Sequence, residues 1–278
     1  MLRQRVITAL LMAGLFLAAI AYLPAPGLAL CFGVLIGLGA WEWSSLAGWQ
    51  RPAARVFYVL LVLAALVAVY RYAQLGDIPE KGRVQPLLGL ACLWWSFALL
   101  WIKGYPDSAV LWRHMMMRSA MGMLILVPAW MSALYLLSFP PGGLLLVIMV
   151  ILVATADIGA YFSGRQFGKH KLAALVSPAK TWEGFWGGVT ACGLLAVLLW
   201  YQLPEREAHI GLAAVMAVTV TTALASVIGD LTVSMVKRES GVKDSGSLLP
   251  GHGGVLDRLD SLCGAAPVFA LGLLLIGW

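Results

Sequence analysis

Charge is what this chain has least of. Only 12% of its residues are Asp, Glu, Lys or Arg while 61% are hydrophobic, whereas an average soluble domain carries roughly 25% charged residues. A fold in water would have nowhere to hide that much apolar surface. Cysteine is also sparse: Cys31, Cys92, Cys192 and Cys263 lie far apart in apolar sequence with no CxxC pair, so neither a disulfide framework nor a zinc site is indicated. His114, His170, His209 and His252 do not stand at metal-ligand spacing. GRQFGKH (164–170) is one residue short of a P-loop between its glycines, and has His170 where Ser or Thr is required. There is no GxSxG nucleophile elbow, no internal repeat and no low-complexity segment.

What fills the chain instead is long apolar runs, nine of them, at roughly 6–23, 27–46, 55–72, 86–103, 118–138, 141–163, 183–202, 209–236 and 256–277. A helix needs about 20 such residues to cross a bilayer. Lipid also demands that backbone polar groups be satisfied internally, which favours helices, and barrel strands would alternate apolar and polar residues. The expected fold class is all-α: a polytopic integral membrane protein of about nine transmembrane helices, with no room for a separate soluble domain. The first run follows Arg3 and Arg5 as a signal peptide would, but its 18 residues exceed the ~7–15 of a cleaved signal; an uncleaved first span is expected. With the N-terminus cytoplasmic, 15 of the 19 Lys and Arg fall in inner segments and only Arg71, Lys81, Arg83 and Arg206 outside, a positive-inside pattern. The net charge of +6 is then topology and needs no nucleic acid, although a basic cytoplasmic face suits anionic lipid or nucleotide.

Two inner connections break the apolar pattern: GRQFGKHKLAALVSPAKTWEG (164–184) and SMVKRESGVKDSGSLLPGHGGVLDRLDS (234–261). The stretch KGYPDSAVLWRHMMMR (103–118) is expected as an interfacial helix at most. Acids near membrane depth are costly and are functional candidates by default; here they are Glu42, Asp157, Glu183, Asp230, Asp257 and Asp260. All but Glu42 fall at the inner ends of the last four spans. Asp230, Ser234 and Lys237 stand at i, i+4 and i+7, one stripe of a helix, and Asp257 and Asp260 share a face at the start of the last span. PGHGG (250–254) allows a tight turn, and such a turn opening a helix offers N–H groups to phosphate. Carboxylates beside phosphate require a divalent cation between them, and Mg²⁺ held by one or two carboxylates plus phosphate oxygens is the usual arrangement. Simpler roles are open as well. First-turn acids complement the helix dipole, Thr181 and Glu183 suit a helix N-terminus, and Lys237 and Arg238 suit positive-inside anchors.

The run Ser234, Lys237-Arg238, Lys243-Asp244, Pro250, His252-Gly253-Gly254, Asp257-Arg258 and Asp260 resembles the signature of the CDP-diacylglycerol synthase, or phosphatidate cytidylyltransferase, family, as do 156–172 and SPAKTWEG (177–184). Ala179 departs from it where a second Lys is expected. The resemblance covers the C-terminal half by motif and the N-terminal half by hydropathy. It implies conversion of CTP and phosphatidate to CDP-diacylglycerol and pyrophosphate by one transmembrane unit, with spans 1–5 (1–140) followed by catalytic spans 6–9 (141–278). It further implies Asp230 and Asp257 as metal ligands for one Mg²⁺ ion or two, with Asp260 a third candidate. Lys180, Lys237, Arg238, Lys243 and Arg258 would bind phosphates, and Ser177, Thr181, Ser234 and His252 would orient substrate. The expected setting is a bacterial-type cytoplasmic (inner) membrane, with the site on its cytoplasmic side. A homodimer is also implied, for which stripes such as Gly33-xxx-Gly37 and Gly184-xxx-Gly188 would permit close packing. The alternatives are a CTP-dependent enzyme acting on a polyprenyl phosphate or lipid alcohol, and a secondary transporter. A transporter would place its charges near the midplane and repeat its architecture in both halves.

Overall fold

The computed structural model describes residues 2–76, 79–140, 142–203, 209–249 and 253–278, with the side chains of 2–6 and 9 excepted. The chain runs α1 (Leu2–Tyr22), α2 (Ala25–Ala47), α3 (Pro52–Tyr72), α4 (Lys81–Gly104), α5 (Ala109–Trp112), α6 (Met115–Leu137), α7 (Gly142–Phe167), β1 (Lys171–Ala173), β2 (Ser177–Thr181), α8 (Trp182–Tyr201), α9 (Leu212–Glu239) and α10 (Leu256–Leu275). Eight of these helices are long and apolar enough to cross a membrane; the apolar part of α1, Leu10–Tyr22, is shorter. The helical polytopic architecture expected from hydropathy is therefore present. Within the 103–118 stretch, α4 ends at Gly104, α6 begins at Met115, and only the single turn α5 stands between them. The strands β1 and β2 were not expected. They pair antiparallel, with Lys171 opposite Thr181 and Ala173 opposite Ser177, and they stand on the polar connection between α7 and α8.

Breaker chemistry sets several helix ends. Proline occupies the first turn of α2 and of α3, and Gly48 closes α2 in the left-handed region at φ 100°, where a side chain would be strained. Inside the bundle α6 is the central post, packed against α2, α3, α4, α7 and α10. Trp43, Leu88, Leu126, Tyr135 and Met235 fill the space around it, so one apolar core runs through both halves of the chain. Helix α1 lies at the edge against α7. Outward-facing Leu10, Leu30, Leu60, Leu100 and Leu194 are exposed, as suits a lipid-facing surface.

Lipid gives helices little hydrophobic reason to associate, so close packing through small residues does the joining. Two antiparallel pairs show this. A Cβ on Gly188 would lie 2.6 Å from the carbonyl of Ala156, and one on Gly184 would lie 2.8 Å from that of Ala160, so α7 and α8 meet backbone to backbone. Gly229 and Gly264 do the same for α9 and α10, where side chains would collide with the carbonyls of Asp260 and Ala225. The Gly184-xxx-Gly188 stripe is thus used within the chain. Gly33 and Gly37 likewise face Trp130 and Leu63 of the same chain. The two seams bring the polar ends of α7–α10 to one end of the bundle.

Candidate active site

Helix α9 carries the stripe expected from its spacing. Ser234 Oγ donates to Asp230 Oδ1 at 3.2 Å, which requires both side chains on one face. Lys180, from β2, forms an ion pair with Asp230 Oδ2, and its side chain and that of Asp230 are 25% and 26% exposed. One turn beyond Ser234, Lys237 pairs with Asp257 Oδ1 at 2.7 Å, and those two side chains are 10% and 8% exposed. Asp260 is buried on α10, and its carbonyl packs on α9 at Gly229, which puts it level with Asp230. Asp257 lies one turn further toward the helix end, about 5 Å along the axis. Asp157 of α7 is within electrostatic reach of Lys180 and Asp230, and Asp260 is within reach of Asp230, Lys237 and Lys180. Three helices, α7, α9 and α10, and one strand, β2, therefore deliver four carboxylates and two ammonium groups to one region.

The N-terminus of α10 is organised differently from the sequence expectation. The amides opening this helix are not offered to a phosphate, because two carboxylates of the chain take them. Asp257 Oδ2 accepts from the backbone N–H of Ser245 and of Gly254, each at 2.9 Å. Glu42 of α2, only 2% exposed, accepts from the amides of Val255 (3.0 Å) and Leu256 (2.8 Å) and from Ser245 Oγ (2.9 Å). A partially positive helix terminus is a favourable place for negative charge, and an acid made in the same chain has filled it. Leu249 N–H donates to the Gly253 carbonyl at 2.9 Å, and Gly253 adopts φ 84°, which only glycine takes without strain. His252 and Pro250 lie outside the described residues.

The neighbouring connections are tied down in the same way. Arg118 at the start of α6 donates to the Leu46 carbonyl and to Ser240 Oγ, and Ser240 donates to the same carbonyl; the ends of α2, α6 and α9 are thereby pinned together. Thr181 caps α8, its Oγ1 accepting from Gly184 N–H at 3.1 Å. Glu183 accepts from the amides of Lys169 and His170 and from His170 Nδ1 at 2.6 Å, fastening the α7–β1 connection to α8. Arg238 Nε donates to the Val176 carbonyl at 3.1 Å and holds the turn of the hairpin. Of the remaining sequence candidates, Arg258 is exposed on the first turn of α10 and Lys243 is exposed on the connection after α9. Ser177 begins β2, three residues before Lys180.

Beside the constellation lies a cleft of about 360 Å³ between α7, β2, α8 and α9. Its lining includes the polar side chains of Asp157, Arg165, Lys180 and Thr181 and the apolar ones of Phe185, Val189, Ala223 and Val227. A metal is accommodated by the donor chemistry. The carboxylates are hard oxygen donors suited to Mg²⁺, and taken as ionised the four acids exceed Lys180 and Lys237 by two charges, which one divalent cation would neutralise. No three His, Cys, Asp or Glu side chains converge on one point among the described residues. An ion bound here would take one or two carboxylates and complete its shell with phosphate oxygens and water.

Of the sequence candidates, the structure brings Asp230, Ser234, Lys237, Asp257, Asp260 and Lys180 together and adds Asp157, which the sequence left without a role. Sequence reading could not place Glu42, and it missed Ser245, whose only signal was membership of the polar block. The fold and the site together define a polytopic helical membrane enzyme whose polar chemistry gathers at one end of its last four spans. Within that class the chain belongs to the cytidylyltransferase family, whose model matches residues 3–276. The phosphatidate cytidylyltransferase of Pseudomonas aeruginosa is 44% identical over 278 residues, covering 100% of this chain and 99% of that protein. The phosphatidate cytidylyltransferase of Haemophilus influenzae is 41% identical, covering 97% and 98%. The enzyme of the same name from Mycobacterium bovis is 33% identical over 76% of this chain and 78% of its own length.

Proposed function

We propose that this protein catalyses cytidylyl transfer from CTP to phosphatidate, giving CDP-diacylglycerol and pyrophosphate. The relatives named above support the substrates. The observation that carries the reading in this chain is Lys180, paired with Asp230, on the wall of a cleft lined by both charged and apolar side chains. A diacyl lipid with a phosphate headgroup needs both kinds of lining at once. A phosphate oxygen of phosphatidate attacks the α-phosphorus of CTP, the bond between the α-phosphorus and the bridging oxygen breaks, and pyrophosphate leaves with the bonding pair. The attacking oxygen is already anionic, so no general base is required. Such transfers depend on positioning and charge neutralisation.

Asp230 and Asp257, with Asp260 beside them, would hold Mg²⁺, which supplies neutralisation of the phosphate oxygens as charge moves to the leaving group. Lys180 and Lys237, which serve the acids as counter-ions, would be free to pair with the substrate phosphates. Ser234 keeps the Asp230 carboxylate in its rotamer, and Asp157 steers Lys180 within the cleft. The 15-to-4 distribution of basic residues supports an N-terminus and a site on the cytoplasmic side of a bacterial inner membrane, where CTP is available. The deciding experiment is incubation of the purified protein in detergent with labelled CTP, Mg²⁺ and phosphatidate. The expected result is labelled CDP-diacylglycerol that disappears with EDTA and returns with added Mg²⁺. Transfer to a polyprenyl phosphate in preference to phosphatidate, or activity indifferent to EDTA, would overturn the reading.

A further inference from the structure

The acid that the transfer reaction leaves unused is Glu42. It is buried in a membrane span, and no lysine or arginine among the described residues pairs with it. An isolated buried carboxylate is costly unless hydrogen bonds compensate it, and here three donors do: Ser245 Oγ, Val255 N–H and Leu256 N–H. Two of its neighbours have no room for a side chain. A Cβ on Gly246 would lie 2.5 Å from Glu42 Oε1, and one on Gly254 would collide with Glu42 Oε2 and Ser245 Oγ.

The arrangement ties Glu42 to Asp257 through shared residues. Ser245 gives its backbone N–H to Asp257 and its hydroxyl to Glu42. Gly254 gives its N–H to Asp257, and the next two amides go to Glu42. One stretch of backbone is thus held alternately by an acid from α2 and an acid from α10. We propose that Glu42 is a positioning residue of the reaction: through Ser245 and the 254–256 backbone it fixes where the Asp257 carboxylate stands. This rests on the assignment of Asp257 to the transfer site. A carboxylate suits the role because it is acceptor-only and all three groups facing it are donors. A Gln side chain keeps one acceptor oxygen and turns an N–H₂ group toward a donor.

The test is Glu42→Gln in the full-length protein, read by amide hydrogen exchange and by kinetics. Exchange is expected to quicken at whichever of Val255 and Leu256 comes to face the amide nitrogen, since each bonds a different oxygen of Glu42, and also at Ser245 and Gly254, whose acceptor is Asp257. kcat should fall about ten- to hundredfold, as for residues that orient metal ligands, with more Mg²⁺ needed for half-maximal rate and the KM for CTP little changed. Ser245→Ala removes only the hydroxyl arm; it should lower kcat severalfold and add little when combined with Glu42→Gln, since neighbours acting through one network are non-additive. Faster exchange confined to 255 and 256 with wild-type kcat and Mg²⁺ dependence would reduce Glu42 to a helix cap and overturn the proposal. Should Glu42→Gln fail to fold, unchanged kinetics in Ser245→Ala would overturn it equally. A wild-type protein without cytidylyl transfer would remove the functional reading alone, because the exchange measurement needs no substrate.

Discussion

Asp257→Asn removes more than a charge. The carboxylate accepts from Lys237 Nζ at 2.7 Å and from two backbone amides at 2.9 Å, while the Asn side chain has a single acceptor oxygen. If that oxygen serves the amides of Ser245 and Gly254, the N–H₂ group faces the Lys237 ammonium; if it serves Lys237, two loop amides lose their acceptor. Lys237 and Asp257 are each about nine-tenths buried, and breaking a buried ion pair by removing one partner costs about 3–5 kcal/mol. The variant is therefore expected to melt well below wild type as well as to lose turnover. Cys192 and Cys263 are buried, so a thiol-reactive dye reports the unfolding in detergent. Adding Lys237→Met removes the uncompensated ammonium and should recover most of the melting temperature, while cytidylyl transfer stays absent. A single variant that melts like wild type would refute the energetic reasoning. A double variant that regains turnover would show that Asp257 serves only the loop and not the phosphates.

Asp230→Asn separates chemistry from stability more cleanly: its pair with Lys180 is a quarter exposed, whereas the Lys237–Asp257 side chains are a tenth exposed or less, so turnover should vanish with a smaller fall in melting temperature than Asp257→Asn causes. Lys180→Ala should raise the KM for CTP or lower kcat by about ten- to hundredfold, the equivalent of the ~1.5–3 kcal/mol of a hydrogen bond to a charged group; unchanged kinetics at subsaturating CTP would remove Lys180 from the site. Gly264→Val should abolish accumulation of folded protein, because its side chain meets the Ala225 carbonyl and overpacking typically costs about 1–3 kcal/mol even where side chains can yield; normal yield would refute the α9–α10 seam. Leu248→Cys, at a half-exposed position, should label from the cytoplasmic side only, and labelling in intact cells by an impermeant reagent would invert the topology. Gly246 is unsuitable for that experiment, since a side chain there meets Glu42.

The sequence was most legible where a single helix contains the whole relationship. Apolar runs of span length marked the helices, and Asp230, Ser234 and Lys237 could be placed on one stripe because helical periodicity alone relates them. Asp257 stood out as a costly acid at the start of the last span, Lys180 came from the family resemblance, and the structure supplies both with partners. Glu42 was recognisable as an expensive acid but not as a cap for α10: it lies 203 positions from Ser245, and the register between α2 and α10 comes from side-chain packing that no local pattern encodes. The same gap explains the misplaced expectation for the α10 amides. A glycine-rich turn announces available N–H groups, but the acid that consumes them is on another helix. The hairpin β1–β2 escaped notice because strands of three and five residues show too little alternation to stand out.

The reach of Glu42 also bears on how the protein is made. Domains and segments emerge from the ribosome N-terminal first, so Glu42 enters the membrane more than 200 residues ahead of the groups that satisfy it. Asp230 meets a partner synthesised before it, Lys180, but Lys237 must wait for Asp257. Arrival of α10 supplies donors to Glu42, a counter-charge to Lys237 and a backbone surface for Gly229 in one event. A chain cut short before its last helix leaves an acid on α2 and a base on α9 without the partners that α10 brings to both.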